Sequence, residues 1–337
     1  MVSLSVSTPP AAGSGPRPVN LKTDLSPLAD LIELAFVDTM DNGGRAAIRE
    51  MRALSRLSPG LGVVPGMNDL VLGIGMGYVW IEDGRLIGNV SIYPASLPSE
   101  AGRTWIIANV AVHPDYRGRG IARRLMNESL ASIRQRSSAR GDVILQVETQ
   151  NWKARPLYES LGFRDEGAFT TWRRSPAHPP PPLESGGPYI TRRSWNDWRA
   201  EYALAQAARP QAQGGIGWLR PTVPSLFRSS LRKTIGDFFN LRSTERLVTQ
   251  AADGHQLNAS LWIERAFISG SVQLTLLAHP AAADSERTAL LLTAVRRFGG
   301  EGTLAIEHPM TDHATSALLE HYGFRRMRTL LHMRWHP

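Results

Sequence analysis

The sequence predicts an α/β protein with a mixed sheet (α+β), folded as two similar halves. Three observations predict it: strand and helix patterns alternate, a proline-rich segment lies near the middle, and short landmarks recur in the same order in both halves. With 337 residues, 42% of them hydrophobic, the chain is long enough for two domains with separate cores. The same composition excludes a largely disordered chain.

The first half predicts nine elements in the order α-α-β-β-β-α-β-α-β. The first helix starts with Ser26 as its N-cap and Pro27 at its first position, and apolar residues then recur at helical spacing. A helix over 46–57 and a glycine-rich loop over 59–77 follow. The remaining predictions are strands over 78–81, 86–93 and 105–112, a helix over 121–136, a strand over 143–147, a helix over 153–161 and a strand over 169–173. A hairpin turn at Asp83-Gly84 joins the first two strands, and Gly162 ends the last helix.

Two segments divide the chain. Residues 1–19 are rich in Ser, Pro, Gly and Ala, lack the pattern of a secretory signal, and predict a flexible tail. Residues 175–188 contain four consecutive prolines and predict an extended linker. We therefore expect one domain over 20–174 and a second over 189–337.

The second half repeats landmarks of the first, which favours an internal duplication over two unrelated domains. Asp83-Gly84 recurs as a second Asp-Gly pair at 253–254, and the His-Pro pair at 113–114 recurs at 279–280. Leu-Gly-Phe at 161–163 recurs as Tyr-Gly-Phe at 322–324.

Composition and charge remove several classes of function. The chain has no cysteine, which excludes disulfides, thiolate metal sites and a cysteine nucleophile. No apolar run reaches the roughly 18 residues of a membrane span, so we expect no membrane partner and a cytoplasmic location. The net charge of +8 comes mostly from arginine, which fits either an anionic ligand or a basic solvated surface.

Two further clusters are interpreted as structural. Polar residues at 307–313 do not form a helix-borne His-Glu-x-x-His pattern, and Pro309 interrupts them, so we predict no metal site. Trp195 and Trp198 lie among arginines, an arrangement that also occurs in nucleic-acid binding. A helix with one buried stripe explains them as well, and we expect no nucleic-acid partner.

The segment over 110–125 carries the chemistry. Its pattern predicts a strand, then a tight loop with Gly118 and Gly120, then an amphipathic helix. The backbone N–H groups of 118–122 then lie unpaired at a helix start, where the positive end of the helix dipole favours an anion such as a pyrophosphate. Arg117 and Arg119 add positive charge. No Gly-Lys-Ser/Thr follows, and the third glycine of a dinucleotide fingerprint is missing.

In this segment, Arg117-Gly118-Arg119-Gly120-Ile121-Ala122 follows Val-Ala-Val-His-Pro at 110–114. It resembles the acetyl-CoA signature (Arg/Gln-x-x-Gly-x-Gly/Ala) of the GCN5-related N-acetyltransferases, the GNAT superfamily. Residues 147–163, which include Asn151, Tyr158, Gly162 and Phe163, resemble the second motif of that family. The two motifs stand in the family's order and about 30 residues apart. The resemblance covers roughly 20–174.

The resemblance implies two acyl-CoA N-acyltransferase domains in tandem. It implies an enzyme that transfers an acetyl group from acetyl-CoA to a primary amine of a small molecule or peptide, by direct attack in a ternary complex. The pantetheine arm would bind along the splayed strand at Val110, Ala111 and Val112. The residues implied to hold the pyrophosphate are Arg117, Gly118, Arg119, Gly120, Ile121 and Ala122, and Asn151 matches a position that contacts CoA.

The resemblance also implies roles in the chemistry. Tyr158 matches the family's general acid, although a tyrosine on an apolar helix is otherwise a core residue. An amide, that of Val110, would polarise the thioester carbonyl. Many relatives place a carboxylate on the central strand near the position of Asn109. Asparagine itself cannot act as a base. Glu148 acting through water is our first candidate, with bulk water equally open, and the weaker candidates are Asp38, Asp41 and His113.

The second half is expected to have lost this site. Aligned on the His-Pro pairs, Asp284 and Glu286 stand opposite Gly118 and Gly120, where carboxylates would repel a pyrophosphate. Aligned on Gly323, Leu319 stands opposite Tyr158 and Asp312 opposite Asn151. We expect the second half to pack as a pseudo-dimer partner or to shape the acceptor pocket.

Two questions stay open at this stage. The chain could be a monomeric pseudo-dimer or a homodimer. It could also be a non-catalytic acyl-CoA sensor or interaction module, which would not need an acid at Tyr158.

Overall fold

The computed structural model describes residues 14–37, 40, 42–56, 74–136, 141–182, 187–228, 242–251, 256–266 and 270–337. The first half contains β1 (Gly15–Pro18), α1 (Leu25–Ala35), α2 (Asn42–Ser55), β2 (Tyr78–Glu82), β3 (Arg85–Pro94), β4 (Thr104–Val112), α3 (Ile121–Arg136), β5 (Asp142–Glu148), α4 (Ala154–Ser160) and β6 (Arg164–Arg174). The second half contains β7 (Ile190–Arg192), α5 (Trp198–Ala208), α6 (Pro224–Phe227), β8 (Arg242–Gln250), β9 (Leu257–Ala266), β10 (Ser271–Ala278), α7 (Asp284–Phe298), β11 (Thr303–Pro309), α8 (His313–His321) and β12 (Arg325–Trp335).

The described strands form one mixed sheet of twelve, in the order β1-β2-β3-β4-β5-β12-β6-β11-β10-β9-β8-β7. Helices cover both faces of it. In β2, Val79 packs in the cluster of α1 and α2, whereas its neighbour Trp80 packs in the cluster of α3 and α4. Because side chains alternate along a strand, the two helix pairs lie on opposite faces. The α/β mixed-sheet prediction is confirmed.

A pseudo-twofold axis passes between β6 and β12. Leu330 pairs with Phe169, and these two residues are separated by the same 161 positions that separate Gly162 from Gly323. The two neighbouring pairs are Leu331 with Ala168 and Thr329 with Thr170. The same interval converts one of these pairs into the other, because Leu331 corresponds to Thr170 and Ala168 corresponds to Thr329. A register of this kind is what a duplicated sequence produces when its halves pair about a twofold axis, which supports the predicted duplication. The repeated Asp-Gly pair at 253–254 lies outside the described residues.

Each half completes the other at this axis. Strand β5 pairs with β12 of the second half, from Glu148 opposite Leu330 to Val143 opposite Trp335. Strand β11 pairs in the same way with β6 of the first half, from Leu304 opposite Arg174. The division into 20–174 and 189–337 stays a prediction, but the last strand of each half lies inside the sheet of the other.

The start of the chain corrects one prediction. Residues 15–18 were expected in the flexible tail, yet they form the edge strand β1, in which Gly15 and Arg17 pair with Ile81 and Val79. Pro16 and Pro18 occupy this edge strand, where a missing N–H is tolerated. Arg17 also donates to both carboxylate oxygens of Asp24, at 2.6 and 2.8 Å, and this ion pair fixes the segment. Residues 1–13 lie outside the described residues.

Most other element predictions are confirmed, with shifted ends. The helix over 121–136 is confirmed at both bounds. Helix α1 begins at Leu25 after Asp24, so Ser26 is its second residue rather than its N-cap. Helix α2 begins at Asn42 instead of residue 46, because its first turn contains two glycines that hide the helical pattern. The turn residues Asp83 and Gly84 have φ of 49° and 75°, the combination that a two-residue hairpin requires.

Candidate active site

The site begins where β4 and β5 separate. These parallel strands pair only at their first residues, from Thr104 opposite Asp142 to Ile106 opposite Ile144. The remainder of β4, including Val110, Ala111 and Val112, has no partner on the β5 side among the described pairings. The result is a wedge whose β4 wall presents backbone groups that an extended ligand can pair with.

A bulge in β4 causes the separation. The pairing of β4 with β3 shifts between Ala108 and Ala111, and Asn109 within the shift has a φ of 51°. Asparagine adopts this left-handed conformation more readily than most residues. The Asn109 carbonyl accepts from Asn89 at 2.8 Å, and its side-chain amide donates to Ser91 and Tyr93 at 3.3 Å each. Asn109 is thus a structural residue that shapes the wedge.

The loop at the mouth of the wedge has the expected geometry for an anion. Gly118 and Gly120 have φ of 79° and 75°, which other residues adopt only with strain. No backbone or side-chain acceptor among the described residues takes the N–H groups of 118–122, including those of Ile121 and Ala122. Five free amides at the start of the 16-residue helix α3 fit the pyrophosphate of a coenzyme A ester.

The two arginines of the loop differ in how many of their nitrogens already bind other protein groups. Arg117 uses its Nε to bind the Val112 carbonyl at 3.1 Å, which leaves its terminal nitrogens for a ligand. Arg119 donates to Glu82 at 3.2 Å and lies over the Tyr116 ring, with its centre 4.8 Å from the ring centroid. Its charge is therefore partly balanced within the protein, a feature that the sequence did not reveal.

Tyr158 lies on the α4 side of the wedge, in one cluster with Val110, Val112 and Val147. It is 6% exposed and packs edge-on against Phe163, with 6.0 Å between ring centroids. Burial raises the pKa of its hydroxyl to about 12, with no hydrogen bond opposing the effect. A protonated, desolvated hydroxyl beside the wedge has the form that a general acid requires.

The other predicted residues have different surroundings. The Asn151 side chain accepts from the Ala154 amide at 3.1 Å, so it caps α4 and its contact with a coenzyme stays a prediction. Glu148 is half-buried and follows Val147, which faces the core with Tyr158. By strand alternation, Glu148 faces the opposite side of the sheet. His113 accepts from the Asp115 amide at 3.4 Å, whereas Asp38 and Asp41 lie outside the described residues.

A cavity of about 260 Å³ opens beside the bulge, on the face of the sheet covered by α1 and α2. Asn109 lies at its base and Arg328, from β12 of the second half, at its side. Its apolar lining comes from the two helices and the segment before β2: Ile32, Phe36, Met40, Ala47, Ile48, Met51 and Ile74. No sequence pattern indicated this cavity, because its walls come from distant segments and from both halves.

The second half keeps the wedge but not the loop. Strands β10 and β11 pair only from Ser271 to Leu274, so they separate as β4 and β5 do. Helix α7 begins at Asp284, only a few residues after β10 ends at Ala278. This corrects the alignment of Asp284 and Glu286 with the two glycines. Asp284 starts its helix as Ile121 starts α3, and the shorter connection contains no glycine loop.

The other expected differences of the second half are confirmed by position. Leu319 is fully buried on α8 where Tyr158 lies on α4. Asp312 caps α8 by accepting from the Thr315 amide at 3.0 Å, as Asn151 caps α4. Among the described residues, no group of three or more His, Asp or Glu side chains could hold a metal ion. None of the described helices is both long and apolar enough to cross a membrane.

Comparison with known proteins agrees with this geometry. Over 95% of both chains, the structure is similar to a GCN5-related N-acetyltransferase from Sphaerobacter thermophilus, with a TM-score of 0.57 and 16% identity. It is also similar, with a TM-score of 0.56 and 13% identity, to the glucosamine N-acetyltransferase region of a fungal multi-domain GH3 β-N-acetylglucosaminidase, covering 99% of this chain and 39% of that one. The fold is therefore that of the GCN5-related acyltransferases.

Sequence similarity to known proteins is confined to part of the chain. Residues 68–163 match the model of the acetyltransferase (GNAT) family. An 89-residue segment is 39% identical to the N-alpha-acetyltransferase RimI of Mycobacterium tuberculosis (strain ATCC 25618 / H37Rv), covering 25% of this chain and 49% of that relative. The chain thus spans about half the length of this curated relative. The first half of the chain thus matches the GNAT superfamily, whose members typically use acetyl-CoA.

Proposed function

We propose that the first half is an N-acetyltransferase that transfers the acetyl group of acetyl-CoA to a primary amine. The observation that carries the proposal is the combination of the β4–β5 wedge with the five free amides of 118–122 at its mouth. The wedge fits the pantetheine arm and the amides fit the pyrophosphate. Gly118 and Gly120 supply the backbone conformation that the loop needs.

The reaction needs few protein groups. When bound, acetyl-CoA supplies an activated thioester carbonyl. The amine nitrogen forms a bond to the carbonyl carbon, and the carbon–sulfur bond then breaks. The Val110 amide, next to the Asn109 bulge, is the proposed hydrogen-bond donor to the carbonyl oxygen. Tyr158 donates its proton to the departing thiolate, and the second proton that the nitrogen loses on becoming an amide restores the hydroxyl.

The base must first take one proton from the ammonium group of the acceptor, because only the neutral amine can attack. Asn109 cannot do so, and its amide is occupied by Ser91 and Tyr93. Glu148 faces the side of the sheet on which the 260 Å³ cavity lies, and it acts through water in our proposal. This cavity is the proposed acceptor pocket. The second half is structural and supplies Arg328 to its wall.

The name of the RimI relative suggests the first acceptors to test. That protein is named for the acetylation of an N-terminal α-amine, and the apolar cavity fits a small or apolar first side chain. We therefore place peptide N-termini first in an amine panel, followed by small-molecule amines. Release of free thiol reports turnover for every acceptor.

The experiment pairs this panel with Tyr158→Phe. We expect kcat to fall about 100-fold, within the range of general acid catalysis, while the Kd for acetyl-CoA stays within about twofold. Tyr202→Phe removes a hydroxyl from α5 of the second half and should change neither value. Unchanged turnover in Tyr158→Phe would refute the acid role. Coenzyme binding with no turnover on any amine would favour the alternative, a non-catalytic acyl-CoA sensor, which the missing carboxylate at Asn109 also suggests.

A further inference from the structure

A second cavity, of about 350 Å³, lies in the second half beside the wedge between β10 and β11. Part of its lining is apolar and comes from Leu276, Ala278 and Pro280. Two arginines line it as well, Arg209 directly after α5 and Arg287 on α7. Its volume lies within the range of sites that take small organic molecules.

Arg209 is a buried cation that forms no direct ion pair with a carboxylate among the described residues. It is 6% exposed, and its Nη2 donates to the Leu276 carbonyl at 3.2 Å and to Nδ1 of His308 at 2.9 Å. Its Nη1 is buried and has no hydrogen-bond partner in the part of the chain that the structure describes. Burial lowers the pKa of this guanidinium to about 9. A buried donor without a partner is destabilising, so it requires an explanation.

Arg287 is also buried but, unlike Arg209, it is paired with a carboxylate, that of Asp284. It is 8% exposed, and its Nη1 donates to the Ala282 carbonyl at 3.1 Å and to Asp284 at 2.9 Å. Its Nε is buried and has no acceptor among the described residues. Two guanidinium groups thus line one cavity, and each keeps an N–H that the described protein does not satisfy.

The acidic residues that line the cavity are already committed elsewhere. Asp312 accepts from His308 at 2.9 Å and from the Thr315 hydroxyl and amide at 2.8 and 3.0 Å. Glu166 forms an ion pair with Arg334. Since Nδ1 of His308 accepts from Arg209, the proton of this imidazole is on Nε2 and is donated to Asp312. The histidine is neutral and does not cancel the charge of Arg209.

The first half has an apolar residue at the equivalent position. Helices α1 and α5 have 11 residues each and follow the first strand of their halves, and their C-caps are Phe36 and Arg209. Phe36 lines the proposed acceptor cavity of the first half, and Arg209 lines the cavity of the second. The second half has therefore lost the glycine loop but keeps a cavity in which a cation replaces an aromatic ring.

We propose that this cavity binds a small monocarboxylate. Arg209 and Arg287 both line the cavity, where guanidinium groups favour a carboxylate, and the apolar wall accommodates a short carbon chain. The nearby charge of Asp312 disfavours a dianion such as phosphate. The connection before α7 contains no glycine loop that could bind a pyrophosphate. We therefore expect the carboxylate to bind in this cavity without coenzyme A.

The test is calorimetric titration of the full chain with propionate at low ionic strength. Propionamide, of the same shape but uncharged, is the matched control ligand, and inorganic phosphate and acetyl-CoA are the competing ligands. We expect propionate to bind at least about tenfold more tightly than propionamide, since hydrogen bonds to charged groups distinguish the two. Equal binding of propionate and propionamide, or tighter binding of phosphate at this site, would overturn the proposal.

Three variants locate the binding. Arg287→Gln should weaken propionate at least about tenfold, and Ala278→Phe should fill the cavity and abolish binding. Arg296→Gln changes an exposed arginine of the same helix and should leave the affinity within about twofold. Thermal melting shows which variants remain folded. If Arg287→Gln and Ala278→Phe are folded and bind like the parent chain, no carboxylate site exists in this cavity.

Discussion

The two halves share a strand plan and differ at the wedge. In the first half the wedge opens onto five free amides and is flanked by Tyr158. In the second half a hydrogen-bonded chain of Arg209, His308 and Asp312 lies at the same place, and Leu319 replaces the tyrosine. His308 itself stands where the first half has Val147, one interval of 161 positions earlier. A shorter connection and a few substitutions therefore separate a coenzyme site from a cluster of hydrogen-bonded polar side chains.

The largest expected effect comes from changing the loop that only the first half has. In Gly120→Asp the backbone must keep a φ near 75°, at a cost of about 1–2 kcal/mol, and the new carboxylate lies among the pyrophosphate amides. We expect the Kd for acetyl-CoA to rise at least about 100-fold in a binding titration. Gly102→Asp is the control, because Gly102 has the same φ of 75° and open space around it, but lies outside the loop. Equal losses in both variants would contradict the assigned role.

The second prediction concerns the polar cluster of the second half. Burial, aided by the charge of Arg209, lowers the pKa of His308 to about 4, from an ordinary value near 6.5. Between these values the unfolded chain binds a proton that the folded chain does not, so stability decreases as the pH falls from about 6.5 towards 4. The shift corresponds to about 3 kcal/mol at most.

Urea unfolding at pH 7 and at pH 4.5 measures this loss. His308→Val introduces the residue found at the equivalent position of the first half, and it should reduce the difference between the two pH values, even if it lowers stability at both. Hydrogen bonds from His308 and Thr315 outweigh burial and hold the pKa of Asp312 below its usual value, so its own contribution is lost at lower pH. An unchanged pH dependence in His308→Val would show that another group is responsible.

The smallest expected effect tests whether the second half contributes to the first site. Arg328 on β12 lines the proposed acceptor cavity. In Arg328→Gln we expect the KM for the acceptor to rise about threefold to tenfold, with kcat nearly unchanged, because a binding contact is lost and no reacting group is. Arg326→Gln, on the same strand but paired with Glu320, is the control. A change in kcat alone would argue against a role in acceptor binding.

The sequence predicted the elements and the coenzyme loop because these depend on local patterns. The glycines of 118–120 need a left-handed backbone wherever they occur, and the helix of 121–136 has a regular apolar stripe. The sequence did not predict that β12 pairs with β5 and that β6 pairs with β11. The same strands could equally pair within their own halves. Nor did the sequence predict the acceptor cavity, whose walls join α1, α2, β4 and β12.

Asn109 shows how one residue can be interpreted in two ways. From the sequence it is a missing carboxylate, and in the structure it is the residue that permits the bulge. The buried environment of Arg209 had no sequence signal, since an arginine after a helix is normally solvated.

The exchanged strands have a consequence for how the protein is made. A growing chain usually folds its first domain while the next is still being synthesised. Here β5 already pairs with β4 on one side, but its partner on the other side is β12, the last strand to leave the ribosome. Strand β12 pairs with both β5 and β6. The half with the free amides is thus completed late in translation. Until then, the open side of β5 is an exposed strand edge that nascent chains must keep from pairing with one another.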